Sequence, residues 1–255
     1  MTPRPLIVAV LLCFSALPSQ AEDITVAVAS NFTSAMRDIV TEFEQASEHR
    51  VKLAFGASGK FYAQIKHGAP FQVFFSADQA KPMALEKEGL IVPGSRFTYA
   101  IGTLALWSSR ADFIDAEATV LKEGNFNKLA IANPKLAPYG AAAIDVLRHL
   151  SLEKTTRRQW VQGENIAQTY QFVSTGNADL GFVSLSQLLD QGRIKTGSAW
   201  VAPKSMHRPI RQDAVLLKRG EDSLAAHELI RFMRSDKAIS IIAAYGYQHE
   251  DALVD

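Results

Sequence analysis

The stretch Ile24-Thr25-Val26-Ala27-Val28-Ala29-Ser30-Asn31 decides the fold class. Its first six residues are apolar or β-branched and lack the polar alternation of a half-exposed strand. A strand buried on both faces is expected, as in a parallel sheet. Ser30 and Asn31 are both good helix N-caps. Ala35, Met36, Ile39, Val40 and Phe43 then recur at helical spacing. Working outward, residues 51–55 read as a second strand and Gly56-Ala57-Ser58-Gly59 as a turn. Residues 61–67 read as a short helix stopped by Gly68 and Pro70. Residues 73–75 read as a third strand, Ser76-Ala77-Asp78 as its exit, and residues 80–88 as a helix. Strands alternating with helices are the signature of a parallel α/β sheet.

Residues 98–108 read as one long strand without a helix of its own. The alternation then restarts with a strand at 129–132, and Pro138-Tyr139-Gly140 opens a helix to about residue 150. Gly163-Glu164-Asn165 precedes a helix at 166–174. A strand at 180–183 leads into a helix beginning at Ser184. A strand at 214–217 and a helical region at 223–244, broken near Ser235-Asp236, close the chain. Two similar α/β units thus stand in tandem, with a final strand and helices left over. Ligands of such sheets sit outside the carboxyl ends of the strands, so two facing lobes make a cleft there.

The composition agrees with a soluble globular protein: 255 residues, 47% hydrophobic and 21% charged, with 27 Lys+Arg against 26 Asp+Glu. That balance argues against disorder and against a nucleic-acid binder working through basic excess. The first 21 residues differ from the rest. Arg4 precedes an apolar run at 6–17, too short to span a bilayer, and Ser19-Gln20-Ala21 fits a signal-peptidase site. Residues 1–21 are therefore expected to be a signal peptide cleaved after Ala21. The only cysteine, Cys13, lies in this leader, and Val10-Leu11-Leu12 before it argue against a lipoprotein. Cleavage removes Arg4 and no acidic residue, leaving 26 basic and 26 acidic side chains and no cysteine. Disulfides, thiolate metal sites and cysteine nucleophiles are excluded from the mature chain. No later apolar run reaches membrane-spanning length.

Catalytic motifs fail. Around Gly56-Ala57-Ser58-Gly59-Lys60, a phosphate loop would need glycine at Ala54 and a hydroxyl at Phe61. A nucleophile elbow would need glycine at Lys60. The histidines, at 49, 67, 149, 207, 227 and 249, form no zinc-helix pair. What remains is a shared design at the junctions Ser30-Asn31, Ala57-Ser58-Gly59, Pro138-Tyr139-Gly140 and Asn165-Ile166: a strand, a small or hydroxyl-bearing residue, then a helix. A helix start leaves backbone N–H groups free and carries partial positive charge. Several converging starts make an anion site without lysine or arginine. Taken singly, Ser and Asn caps serve only their helices.

In its ordered motifs the chain resembles the periplasmic molybdate-binding proteins of ABC importers. The resemblance is carried by residues 24–31 with Ala35-Met36, and by Phe55-Gly56-Ala57-Ser58-Gly59-Lys60 with Gln64-Ile65 and Gly68-Ala69-Pro70. Phe74-Phe75-Ser76-Ala77-Asp78, Ala178-Asp179-Leu180-Gly181-Phe182-Val183 and Tyr245-Gly246-Tyr247 complete it. It implies two α/β lobes with mixed, mostly parallel sheets joined by two crossover strands, a type II periplasmic binding protein. The implied lobes are residues 22–107 with 207–255, and residues 108–206, with crossings near residues 106–109 and 206–211. Hinge closure on the ligand is implied with them.

The resemblance also implies the ligand set: Ser30 and Asn31 with the Asn31 N–H, Ser58 by hydroxyl and N–H, and the backbone N–H groups of Tyr139 and Ile166. A tyrosine that some members place after the fourth motif is replaced here by Ser184, a shortened or absent contact. Tyr139 stands where others have a small residue. Metal enters only as the oxyanion, held through Asn31, Ser58, Tyr139 and Ile166, with no direct metal-ion ligand. The implied cargo is molybdate or tungstate, with no cofactor and no catalysis. The expected partner is a membrane permease, and the protein is expected to be a periplasmic monomer with neither nucleic acid nor membrane insertion. The rivals are the same fold carrying sulfate, phosphate or a small organic anion, an exported α/β hydrolase using Ser58, and a binding protein that signals to a sensor.

Overall fold

In the computed structural model the described residues are 21–190 and 192–249, so the expected leader, save Ala21, lies outside them. In chain order the elements are β1 (Asp23–Ala29), α1 (Thr33–Ala46), β2 (Arg50–Gly56), α2 (Ser58–Lys66), β3 (Val73–Phe75), α3 (Ala80–Lys87), β4 (Phe97–Gly102) and β5 (Leu104–Ser108). They continue with α4 (Thr119–Glu123), β6 (Leu129–Ala132), α5 (Pro138–His149), α6 (Glu153–Thr156), β7 (Trp160–Gly163), α7 (Ile166–Ser174), β8 (Leu180–Ser184) and α8 (Leu185–Leu188). A two-residue hairpin, β9 (Leu189–Asp190) and β10 (Arg193–Ile194), precedes β11 (Ser198–Val201), β12 (Ile210–Leu216), α9 (Leu224–Phe232) and α10 (Asp236–Ala244).

Two five-stranded sheets share one plan. The first runs β2-β1-β3-β12-β4 and the second, read in the same sense, β7-β6-β8-β5-β11. In each, three parallel strands are followed by two antiparallel pairings. The two-faced burial read from residues 24–29 is borne out. Val26 and Val28 pack on one face with Phe32, Met36, Ile39, Phe75 and Leu229. Ala27 faces the opposite side, with Phe61, Ile65, Phe74 and Leu85. The second sheet repeats this: Leu106, Leu129, Ile131 and Phe182 pack with α5, and Ala105, Trp107, Ala130 and Val183 with Val173 of α7.

The long strand expected at 98–108 is two strands in different sheets. The chain changes sheets at Thr103, between Gly102, paired with Ile210, and Leu104, paired with Ser184. Both strands are buried, so nothing in the apolar run marks the change. The return passes through residues 202–209, between β11 and β12. The break in the carboxy-terminal helical region falls at 233–235, where the Ser235 side chain caps α10 by accepting from the Ala238 N–H. The edge strands β7 and β11 escape the reading because their partly exposed, mixed residues carry no strong pattern.

Candidate oxyanion site between the lobes

The four junctions meet. Ala29, Ser30 and Asn31 after β1, and Gly56, Ala57 and Ser58 after β2, line one small cavity together with Ala77. Ala137, Pro138 and Tyr139 at the start of α5, with Asn165 and Ile166 at the start of α7, close it from the other lobe. Its volume is about 10 Å³, the scale of a single small ion or water rather than an organic solute. Of the residues read from sequence as a site, Ser30, Asn31, Ser58, Tyr139 and Ile166 line it. Ser184 does not; it is buried, with its hydroxyl 2.8 Å from Ser186 Oγ.

Local sequence explains what each junction presents. Pro138 occupies the first turn of α5 and has no N–H, so Tyr139 carries that helix's first amide hydrogen. The Asn165 side chain accepts from the Gln168 N–H at 3.0 Å and thus serves α7, leaving the Ile166 amide at the helix start. The Ser58 hydroxyl accepts from the Ala77 N–H at 3.0 Å, which commits a lone pair and leaves its own proton to donate. The Asn31 amide nitrogen donates to Gln212 Oε1 at 2.8 Å and to Tyr247 Oη at 3.0 Å. Both of its protons are used away from the cavity, so Asn31 offers the site its main chain.

No Asp, Glu, Lys, Arg or His lines the cavity. Lys60, outside the lining, is paired with Glu164 of the facing lobe at 2.5 Å. Burial pushes the phenols of Tyr99 and Tyr139 well above the ordinary tyrosine range, and that of Tyr247 up to about 12. They are neutral donors at physiological pH. The site is therefore an uncharged shell of hydroxyls and helix starts, suited to a fully deprotonated anion and offering no carboxylate to accept a proton.

The lobes touch beside this cavity. The Gly59 N–H donates to the Leu136 carbonyl at 2.9 Å. A Cβ on Gly59 would lie 2.9 Å from Leu136 Cα and 3.1 Å from its carbonyl oxygen, so only glycine permits the approach. The structure is that of closed lobes.

Comparison with known proteins agrees with this arrangement. Residues 24–248 match the family described as bacterial extracellular solute-binding protein. The chain belongs to that family. It is 50% identical over 242 residues to the molybdate-binding protein ModA of Azotobacter vinelandii, covering 95% of this chain and 96% of the relative. It is 46% identical to the ModA protein of Rhodobacter capsulatus, covering 92% of each. The solved structure of the Azotobacter vinelandii periplasmic molybdate-binding protein superimposes with a TM-score of 0.86 at 38% identity, covering 89% of this chain and 99% of that one. The two-lobed solute-binding fold read from sequence is that of these relatives.

Sequence reasoning did not assign Ala77, Tyr99, Ser186, Gln212 or Tyr247 to the site region. Ala77 and Tyr247 lie in motifs already quoted for the resemblance, at a strand exit and in the closing segment. Gln212, fully buried in β12, had only its polar character within an apolar strand to mark it.

Proposed function

We propose that this solute-binding protein captures molybdate, and tungstate equally, outside the cytoplasm and presents the closed form to an ABC permease. The observation carrying the reading is the convergence of four helix or 3₁₀-helix starts, two from each lobe, on one small cavity without a charged side chain. The relatives named for molybdate support the choice of ion. The contacts are the N–H groups at Ser30 and Asn31, the Ser58 hydroxyl and N–H, and the N–H groups of Tyr139 and Ile166. Ser184 is not among the contacts.

Molybdate is a tetrahedral dianion without protons, and a shell of donors satisfies it. Hydrogen phosphate would leave its own proton without an acceptor, at a cost of about 1–3 kcal/mol. Charge-assisted bonds of roughly 1.5–3 kcal/mol each offset the desolvation of the dianion. The expected Kd lies between about 1 μM and 1 nM. The moving bodies are the lobes expected from sequence, 22–107 with 207–255, and 108–206, with the first boundary drawn back to Thr103. The reading includes no catalytic step, a periplasmic monomer, and a leader cleaved after Ala21.

Calorimetry of the purified protein against molybdate, tungstate, sulfate and phosphate tests it. One-to-one binding of the first two, with sulfate and phosphate much weaker, is expected. Comparable affinity for sulfate overturns the choice of ion, and turnover of a panel of ester substrates overturns the non-catalytic reading.

A further inference from the structure

Beside the cavity, five residues form a ring that is hydrogen-bonded at four of its five links. Gln212 Nε2 donates to Tyr139 Oη at 3.3 Å. The fifth link, between the Tyr139 hydroxyl and Ser184, is a looser polar contact that lowers the Tyr139 pKa against the effect of burial. Ser184 Oγ and Ser186 Oγ are 2.8 Å apart. Ser186 Oγ donates to the Asn31 carbonyl at 2.9 Å, and Asn31 Nδ2 donates back to Gln212 Oε1 at 2.8 Å. Each hydroxyl has one proton to give: Ser186 spends its own on the Asn31 carbonyl and so accepts from Ser184, while Gln212 accepts from Asn31 and donates to Tyr139. Tyr247 completes the Asn31 carbonyl by donating at 2.7 Å, and Tyr99 donates to Gln212 Oε1 at 3.0 Å. All five ring members are buried.

Two properties make this more than core polarity. The circuit crosses between the lobes twice, at Gln212–Tyr139 and at Ser186–Asn31, so it is complete only when they are closed. It also contains both Asn31 and Tyr139, whose main chains face the cavity. The first crossing strand is shaped to admit it. Gly102 has no side chain, and a Cβ there would lie 2.0 Å from Tyr139 Oη and 2.7 Å from Gln212 Nε2.

We infer that the ring Gln212–Tyr139–Ser184–Ser186–Asn31 is an interlobe latch that holds the closed form and aims the Asn31 and Tyr139 amides at the oxyanion. The side chains of Tyr139, Ser184, Ser186 and Gln212 are thus positioning groups that set residence time without themselves touching the ligand. Buried networks of this kind act as a unit, because breaking one link leaves the neighbouring donors and acceptors unpaired. The ring assembles after the ion has met one lobe, so its loss speeds departure and leaves capture alone. This inference rests on the oxyanion reading above for its ligand.

The test uses Tyr139→Phe, Ser186→Ala and the double variant of the full protein. Association and dissociation rates of molybdate are followed by intrinsic fluorescence, and unfolding is followed with and without ligand. Each single variant is expected to raise the dissociation rate about 3- to 10-fold, the loss of one neutral hydrogen bond. Association and the ligand-free melting temperature stay unchanged, and the double variant is well short of the product of the singles. An unchanged dissociation rate, multiplicative effects, or a ligand-free melting temperature that falls as far as the liganded one overturns the latch. Failure of the unaltered protein to bind molybdate refutes the oxyanion reading instead. The latch is then judged by small-angle scattering, where the variants must be more open than the unaltered protein, and equal profiles overturn it.

Discussion

Gly59→Ala separates binding from folding because the two should move in opposite directions. Gly59 is the second residue of α2, and its φ is not in the left-handed region. In the open form nothing from the other lobe stands over it. Alanine there improves the helix and restricts the unfolded chain, worth about 0.5–1 kcal/mol. For a protein of this size that raises the ligand-free melting temperature by about 1–4 °C. In the closed form the added methyl would sit 2.9 Å from Leu136 Cα, 3.1 Å from its carbonyl oxygen and 3.2 Å from Cδ2. The nearest atoms are backbone, which cannot swing aside. Overpacking of this kind costs roughly 1–3 kcal/mol. It also threatens the Gly59–Leu136 hydrogen bond. Closure, and with it molybdate affinity, should weaken by about 5- to 150-fold. Differential scanning calorimetry without ligand and isothermal titration with molybdate measure both arms. An affinity within twofold of the unaltered protein would refute the claim that binding requires the lobes to meet at this contact. A lowered ligand-free melting temperature would refute the claim that the clash belongs to the closed form alone.

Three further outcomes are expected. Ser58→Ala deletes a bond to the anion worth roughly 1.5–3 kcal/mol and weakens binding about 10- to 150-fold by titration calorimetry; no change removes Ser58 from the site. The buried phenols of Tyr99, Tyr139 and Tyr247 are held above the usual tyrosine value, so their contribution to stability is complete below about pH 10 and lost as pH rises through the folded values. Tyrosine titration should leave the melting temperature unchanged up to pH 9 and lower it steeply above pH 10, with Tyr247→Phe blunting the fall. Glu22 caps α9, accepting from Ser223 Oγ at 2.6 Å and from the Ala225 N–H at 3.2 Å, and these bonds lower its pKa. Glu22→Gln should lower the melting temperature at pH 7, and the difference should shrink as pH falls below the ordinary carboxylate value and through the lowered folded value of Glu22.

The strand-to-helix junctions were legible because their physics is local. A buried strand, a small or capping residue and an amphipathic helix are all contiguous in sequence, and Ser58, Tyr139 and Ile166 follow from that order. What could not be read was whatever depends on side chains meeting across the fold. Asn31 and Gln212 are 181 positions apart, as Ser186 and Asn31 are 155. No spacing rule reaches that far. Ser184 shows the same limit from the other side. It ends β8, where the resemblance put a shortened or absent contact, but it does not line the cavity and bonds to Ser186 Oγ instead. The change of sheets at Thr103 was hidden for a related reason: two buried strands in series look like one.

The near balance of 27 basic and 26 acidic residues bears on selectivity. Net charge draws no anion to this protein, and no charged side chain lines the cavity. Molybdate and sulfate carry the same charge, so the attraction supplied by helix starts is the same for both. Discrimination must therefore come from the distance between donors on the two lobes, and the closed form sets that distance. The Gly59–Leu136 and Gln212–Tyr139 hydrogen bonds between the lobes help to fix it. An ion too small for that spacing leaves donors unpaired, each at about 1–3 kcal/mol. An ion too large keeps the lobes from meeting and forfeits the contacts between them. The interlobe contacts thus act as a gauge of ion size, and substitutions there should change the ratio of molybdate to sulfate affinity more than any change in surface charge.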